Sequence, residues 1–300
     1  VLVQNFMVEL AEHTAVGPYL LTRPLDPCAF ADRYLALHQD DHSSHVAYRI
    51  RLHGDRRRLR RFEAAIAACR VLDHEHLLRV EDAQPGQGAD FWVIGPFTGD
   101  VDGLRTLGKL LREKGGQMNP FEAERALVQI LEPMAYAHQP DAVLNGVRPR
   151  VVHGPISMDE VLVDRHGRLL IEFYGFARAT SVGLTSSRAD EAESIRDEVR
   201  SVVEMGYQLV TGLRAEEPMI PAGRLVKRID PRLDAWLANG LNVSGGFATA
   251  AEALAALPSL TLDLQEEPEA PSGWGGLGSW GAWGGWGVRS MLDRLRAVRG

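Results

Sequence analysis

The spacing of apolar positions changes once along this chain, and the change divides it. Over residues 19–48, short apolar runs broken by Pro, Asp and Ser predict antiparallel strands and hairpins. Residues 56–72 instead place Leu59, Phe62, Ala65, Ile66 and Cys69 at helical spacing with the arginines mainly elsewhere, so an amphipathic helix is expected. Residues 77–80 and 91–94 read as two more strands on either side of a Pro/Gly turn at 85–88. After Gly99 the three- and four-residue spacing dominates, predicting helices over 104–114, 121–138, 197–210 and 233–239. One strand pair interrupts them, Val161–Val163 and Leu169–Ile171, joined by a polar turn at 164–168. The pattern therefore predicts an α+β chain: an N-terminal extension over 1–18, a small strand-rich lobe over about 19–98, and a larger helical lobe over about 99–257.

Beyond Leu257 the pattern is lost. Residues 258–273 carry Asp263, Glu266, Glu267 and Glu269 and read as an acidic linker. Then Trp274, Leu277, Trp280, Trp283 and Trp286 recur every third residue among glycines, a stretch that holds four of the six tryptophans. Residues 288–300 gather Met291, Leu292, Leu295 and Val298 on one side of a helix and Arg289, Arg294, Arg296 and Arg299 elsewhere, predicting a short basic amphipathic helix. Regular aromatics beside such a helix fit a docking element, with Trp274, Trp280, Trp283 and Trp286 meeting a protein partner or a membrane surface. A flexible terminus, or a strip folded back on its own lobe, is the equal alternative.

Composition removes several function classes. A net charge of -7 argues against a general nucleic-acid binder, which would carry a dominant basic face. Cys28 and Cys69 have neither metal-type nor redox-type spacing and cannot form a secreted disulfide framework, so a reducing cytoplasm is the expected location. The opening VLVQNFMVELAEH lacks a basic n-region and a long apolar core, and no signal peptide or membrane span is expected. His38, Asp40, Asp41, His42 and His45 could ligate a metal, but their place on a predicted hairpin turn favours solvated polar residues.

Residues 151–178, VVHGPISMDEVLVDRHGRLLIEFYGFAR, resemble the catalytic and metal-binding loops of a protein kinase. His153, Leu162 and the run Tyr174-Gly175-Phe176-Ala177-Arg178 fall on the hydrophobic frame of that signature without a gap. The working groups do not. Gly154 and Pro155 replace the Arg-Asp pair that holds the catalytic base, Ser157 the loop Lys, Glu160 the magnesium-binding Asn and Phe173 the metal-binding Asp. An alternative alignment takes Glu172 as the metal-binding acid and Tyr174 as an insertion. By the gap-free alignment Glu160 is expected to be a surface carboxylate, and His153 and Tyr174 core residues between the lobes.

The rest of the resemblance covers roughly residues 19–257 and is nearest to bacterial Ser/Thr kinases. In LLTRPLDPCAFADRYLAL, Asp26, Cys28 and Ala31 stand at the three glycines of the phosphate-cradling loop, where side chains obstruct the backbone's approach to phosphates. Val46-Ala47-Tyr48-Arg49 is similar to Val-Ala-Ile-Lys, which puts Arg49 at the phosphate-binding Lys. Ala65 takes the place of its helical Glu partner, and Glu63 lies about 200° round the helix. Glu198 falls where an Asp anchors the catalytic loop, and Ala189-Asp190-Glu191 is a weak echo of Ala-Pro-Glu. The arginine run Arg56, Arg57, Arg58, Arg60 and Arg61 is either a solvated face or a dock for an acidic partner. Thr180, Ser181, Thr185, Ser186 and Ser187 are candidate phosphorylation sites.

The resemblance implies a pseudokinase: a kinase fold without catalytic base, metal ligands or glycine-rich loop, acting as a scaffold or regulator. Its expected partners are proteins, such as an active kinase or its substrate, met through the kinase-like surface and the tail. No cofactor is expected. The competing reading is a divergent Ser/Thr kinase that retains weak ATP binding through Arg49 and Glu172.

Overall fold

The computed structural model describes residues 14–52, 56–87, 90–139, 141–143, 146–148, 150–180, 188–242 and 245–260. The tryptophan stretch with Trp274, Trp280, Trp283 and Trp286, the acidic linker from residue 261 on, and Ser181, Thr185, Ser186 and Ser187 lie outside the described residues.

The alternating N-terminal half forms a six-stranded antiparallel sheet in the order β1-β2-β3-β4-β6-β5. The strands are β1 (Ala15–Val16), β2 (Tyr19–Leu25), β3 (Asp32–His38), β4 (Ser44–Arg51), β5 (Asp82–Pro85) and β6 (Asp90–Pro96). Pairing of Arg33 with Tyr48 and of Tyr48 with Val93 puts Arg33, Leu35, Val46, Tyr48, Ile50 and Val93 on one face. Tyr34, Ala36, Ala47, Arg49 and Ile94 take the other. Helix α1 (Arg56–Val71) buries Phe62, Ile66 and Cys69 in one cluster with Val46, Tyr48 and Ile50, so the first of these faces is the inner one.

The predicted strand over 77–80 does not form. Leu77 and Leu78 are buried, but Leu78 N–H donates to Ile171 O and Ile171 N–H to His76 O, so this backbone is satisfied by the second lobe. The strand starts instead at Asp82 and includes Pro85, tolerated there because β5 is an edge that asks for no donor on its open side.

The second lobe begins with α2 (Leu107–Glu113), whose Thr106 cap accepts from Lys109 N–H, and α3 (Pro120–His138), capped by Asn119 with Pro120 in the first turn. Two hairpins follow, β7 (Asp141–Val143) with β8 (Gly146–Arg148), and β9 (Val161–Val163) with β10 (Leu169–Ile171). The first was not legible in so short a run, while the second matches its prediction. Then come α4 (Phe176–Thr180), α5 (Arg188–Thr211), α6 (Ala222–Leu225), α7 (Pro231–Gly240) and α8 (Ala250–Ala256). Val199, Val202, Val203 and Leu209 of α5 share a core with Leu127, Ile130, Leu131 and Met134 of α3. Among the described residues no helix is long and apolar enough to cross a membrane.

Candidate functional site

The two lobes meet at a buried ion pair that neither half could hold alone. Arg33, the second residue of β3, lies on the inner face, and its side chain is 1% exposed. Glu172, the residue after β10, is pinned by its N–H on Glu160 O at 3.0 Å and is fully buried. Arg33 Nη2 donates to Glu172 Oε2, and Tyr48 OH donates to Oε1 at 2.6 Å. The guanidinium also donates to Asp26 O at 3.2 Å and Asp159 O at 3.1 Å, and lies 5.9 Å from the centre of the Tyr48 ring. Burial pushes the Glu172 carboxyl up, to about 7, against the pull of the Arg33 cation and the Tyr48 hydroxyl. Burial works against the Arg33 cation, but Glu172, Cys28 and Tyr48 together raise its pKa above the ordinary value.

Aromatic rings fill the space beside this pair. Phe173 has a φ of 30°, unusual for a non-glycine residue, and its fully buried ring meets Tyr48 at 4.7 Å and Phe176 at 5.0 Å between centroids. Phe30, from the β2–β3 loop, stacks on Tyr48 at 6.4 Å and meets Phe176 edge-on at 6.1 Å. Phe62 of α1 lies 4.9 Å from Phe176. The fit is tight enough that a Cβ at Gly95 of β6 would sit 2.8 Å from Phe173 Cζ.

The positions singled out in the sequence are distributed around this plug. Asp26 turns outward, 68% exposed, to Lys109 of α2 at 2.6 Å, while Ala31 is buried with Phe30. Cys28 Sγ lies 3.7 Å from Ala31 O, and burial together with the Glu172 charge pushes its thiol to about 12. The loop that would cradle phosphates is thus drawn onto the lobes. Ala65 packs, half-buried, against the Phe62 cluster, and Glu63 is exposed. Pro155 is exposed.

Two expectations require correction. Arg49 does not occupy the inner phosphate-binding position: it lies on the outer face, paired with Asp90 at 2.5 Å, and Tyr48 takes the inner place. Matching Val-Ala-Tyr-Arg to Val-Ala-Ile-Lys misplaces the pleat by one residue, and in a strand one residue is the whole difference between faces. Nor is Glu160 a surface carboxylate. It is 2% exposed and accepts from Ser157 N–H at 2.9 Å and Ser157 Oγ–H at 2.8 Å. Arg49 and Glu172 therefore do not face the same space: Arg49 is on the outer face of the sheet, while Glu172 is enclosed with Arg33 and Tyr48.

The loop anchor, by contrast, stands where it was expected. Glu198 of α5, fully buried, accepts through Oε2 from His153 N–H at 3.0 Å and Gly154 N–H at 3.3 Å. Tyr174 OH donates to its Oε1, and His138 Nε2 lies 3.5 Å away. His153 and Tyr174 are both buried core residues in edge contact at 5.3 Å. Glu191 pairs with Arg150 at 3.4 Å.

Arg33 and Tyr48 were not singled out in advance. The signal was present as an arginine at the inner position of a period-two strand, opposite a tyrosine on the next strand. Among the described residues at the join, Glu160 accepts from Ser157, Phe173 is apolar, and Glu172 accepts from Arg33 and Tyr48, a set that does not fit a magnesium-bound nucleotide as it stands. Among the described residues no group of three His, Cys, Asp or Glu side chains is placed to hold a metal ion, and His45 instead engages Glu81 and Ser43.

No protein-family model and no curated protein matches this chain. Solved structures do. The kinase domain of PknI from Mycobacterium tuberculosis superposes with a TM-score of 0.63 at 18% identity, over 83% of this chain and 98% of that one. A doubly substituted form of the same domain gives 0.64 at 18% identity over the same shares. Another structure of it gives 0.60 at 17%, over 83% of this chain and 97% of that one. With its curled antiparallel first lobe and helical second lobe, this chain has the two-lobed protein kinase-like fold.

Proposed function

We propose that this chain is a catalytically inactive kinase-fold protein, a pseudokinase, that works as a scaffold or regulator by binding other proteins. The observation that carries the reading is the Arg33–Glu172–Tyr48 cluster. An arginine from the first lobe occupies the buried Glu172 carboxylate at the join of the lobes, and the rings of Phe30, Tyr48 and Phe173 close around it. Phosphoryl transfer depends on positioning and charge neutralisation, and here the acid that could serve a metal is already neutralised from within. Opening the site would cost the exposure of a buried pair and the displacement of packed rings.

The test is a thermal-shift titration with ATP and magnesium on the full chain, followed by an assay for transfer of radiolabel to an added protein substrate. No shift at millimolar nucleotide and no transfer are expected. Metal-dependent stabilisation that is lost in Glu172→Ala, together with labelled product, would overturn the proposal.

A further inference from the structure

A second group of chemically active side chains lies on the outer face of the sheet, away from the plug. The turn from β3 to β4 is tightly set: His38 N–H donates to Ser43 O at 3.0 Å, His42 N–H donates to His38 O at 3.0 Å, and His42 takes a φ of 58° at the tip. Ser43 follows the tip, half-buried, and its N–H donates to Asp41 Oδ1 at 2.9 Å. His45, the second residue of β4, is paired with Ala36 of β3 and Pro96 of β6, which puts it on the outer face with Ala36 and Ala47. Glu81, just ahead of β5, is fixed beside β6 by its N–H on Ile94 O at 2.9 Å.

These elements bring a hydroxyl, an imidazole and a carboxylate into one chain of contacts. Ser43 Oγ lies 2.7 Å from His45 Nε2, and His45 Nδ1 lies 2.7 Å from Glu81 Oε2. The His45 side chain is only 15% exposed, and Tyr19 packs edge-on against its ring at 5.1 Å, which fixes its orientation. An ionised Glu81 can only accept, so Nδ1 carries the proton, and Nε2 of the neutral ring faces Ser43 as an acceptor. The hydroxyl has a second acceptor, Asp41 Oδ1 at 2.5 Å. The Ser43 hydroxyl and amide hold that carboxyl below its ordinary range, however, so the imidazole is the stronger base.

We propose that Ser43, His45 and Glu81 act as nucleophile, base and orienting acid, giving this chain hydrolytic activity toward small activated carboxylic esters. A nucleophile within hydrogen-bond reach of a base that is itself held by a third group is the arrangement that activates a serine. Ser43 Oγ attacks the ester carbonyl carbon while its proton passes to His45 Nε2. The bond from that carbon to the alcohol oxygen then breaks, and the alcohol leaves with the proton from His45. Water, deprotonated by the same nitrogen, attacks the acyl-serine and releases the carboxylic acid, which restores Ser43. Base assistance of this kind is worth about 10²- to 10⁴-fold, enough for esters with good leaving groups. The inference goes beyond the scaffold role proposed above and does not depend on the plug.

The experiment treats the full chain with a fluorophosphonate, which transfers its phosphonyl group to an activated serine with loss of fluoride, and locates the adduct by peptide mass spectrometry. Labelling at Ser43 is expected, at least about 10²-fold faster than in the urea-unfolded chain, and His45→Gln should slow it by a similar factor. Asp41→Asn should leave it in place. Glu81→Gln should slow it and move the inflection of its pH profile to lower pH, because the imidazolium loses its counter-charge. With p-nitrophenyl acetate, release of more than one equivalent of nitrophenol that depends on Ser43 is the expected turnover. Labelling spread over other serines, labelling indifferent to His45, or loss of labelling in Asp41→Asn alone would overturn the proposal. So would nitrophenol release unchanged in Ser43→Ala, which would assign it to exposed imidazoles, or release that stops at one equivalent. The ATP–magnesium thermal shift reads the plug separately, so the two proposals fail independently.

Discussion

Glu172 and Glu198 are both fully buried carboxylates in the second lobe, yet they are stabilised by opposite means. Glu172 is matched by a full charge, the Arg33 guanidinium brought in from the other lobe. Glu198 is matched mainly by dipoles: two backbone N–H groups and the Tyr174 hydroxyl. The donors that hold the loop from His153 onward to Glu198 are mostly main-chain N–H groups, which substitution cannot remove. The cleft is built from side chains, which substitution can rewrite. Under the reading proposed above, that contrast lets a kinase-like frame stand while the side chains at the join differ.

The largest expected effect breaks the anchor. Glu198→Leu leaves the His153 and Gly154 amides buried without an acceptor, at about 1–3 kcal/mol each, and leaves the Tyr174 hydroxyl only His138 Nε2 at 3.2 Å. Urea unfolding should show a loss of about 4 kcal/mol or more, and adding Tyr174→Phe should recover only the phenol's share. Breaking the pair comes next. Arg33→Leu or Glu172→Leu alone should cost about 3–5 kcal/mol by leaving an uncompensated buried charge, but the double variant should recover most of it. If the double variant is as unstable as the sum of the singles, the two glutamates are not held differently and the comparison falls.

The smallest effect is a slope with pH. The Glu172 carboxyl is raised by burial from an ordinary value of 4.5 to about 7, so between those values the folded chain binds more protons than the unfolded one. Stability from this group is fully present below about 4.5 and is lost as pH rises through about 7, by at most about 3 kcal/mol. Unfolding free energies between pH 5 and 8 should fall in wild type, and Glu172→Gln should flatten that component.

How much of this could be read in the sequence follows the same division. Elements set by long periodic runs were legible: α1 from Phe62, Ile66 and Cys69, and α3 from its Leu127, Ile130 and Met134 spacing. The loop anchor was legible too, because Glu198 stands just ahead of SVVEMGYQLVTG, a run that resembles the long central helix of such domains. Residues 77–80 misled because Leu77 and Leu78 satisfy their pattern across lobes, which local alternation cannot register. Arg49 misled because a motif match fixes identity and order but not which way a strand's pleat points. Attention to Val46, Tyr48 and Ile50 as one apolar face would have turned Arg49 outward. Glu160 was misplaced because charge alone argues for solvent, and its partner Ser157 was noted only as a missing lysine.

Arg33 also fixes how the molecule can move. Its one side chain holds Glu172, the carbonyl of Asp159 in the second lobe, and the carbonyl of Asp26 in its own loop. A clamshell motion about the join would strip two contacts, to Glu172 and Asp159, from a single cation in one event, so gradual breathing is disfavoured and opening becomes all-or-none. Hydrogen exchange along β3 and the segment around Glu172 should accordingly proceed as a single cooperative unit, with both stretches sharing one opening free energy.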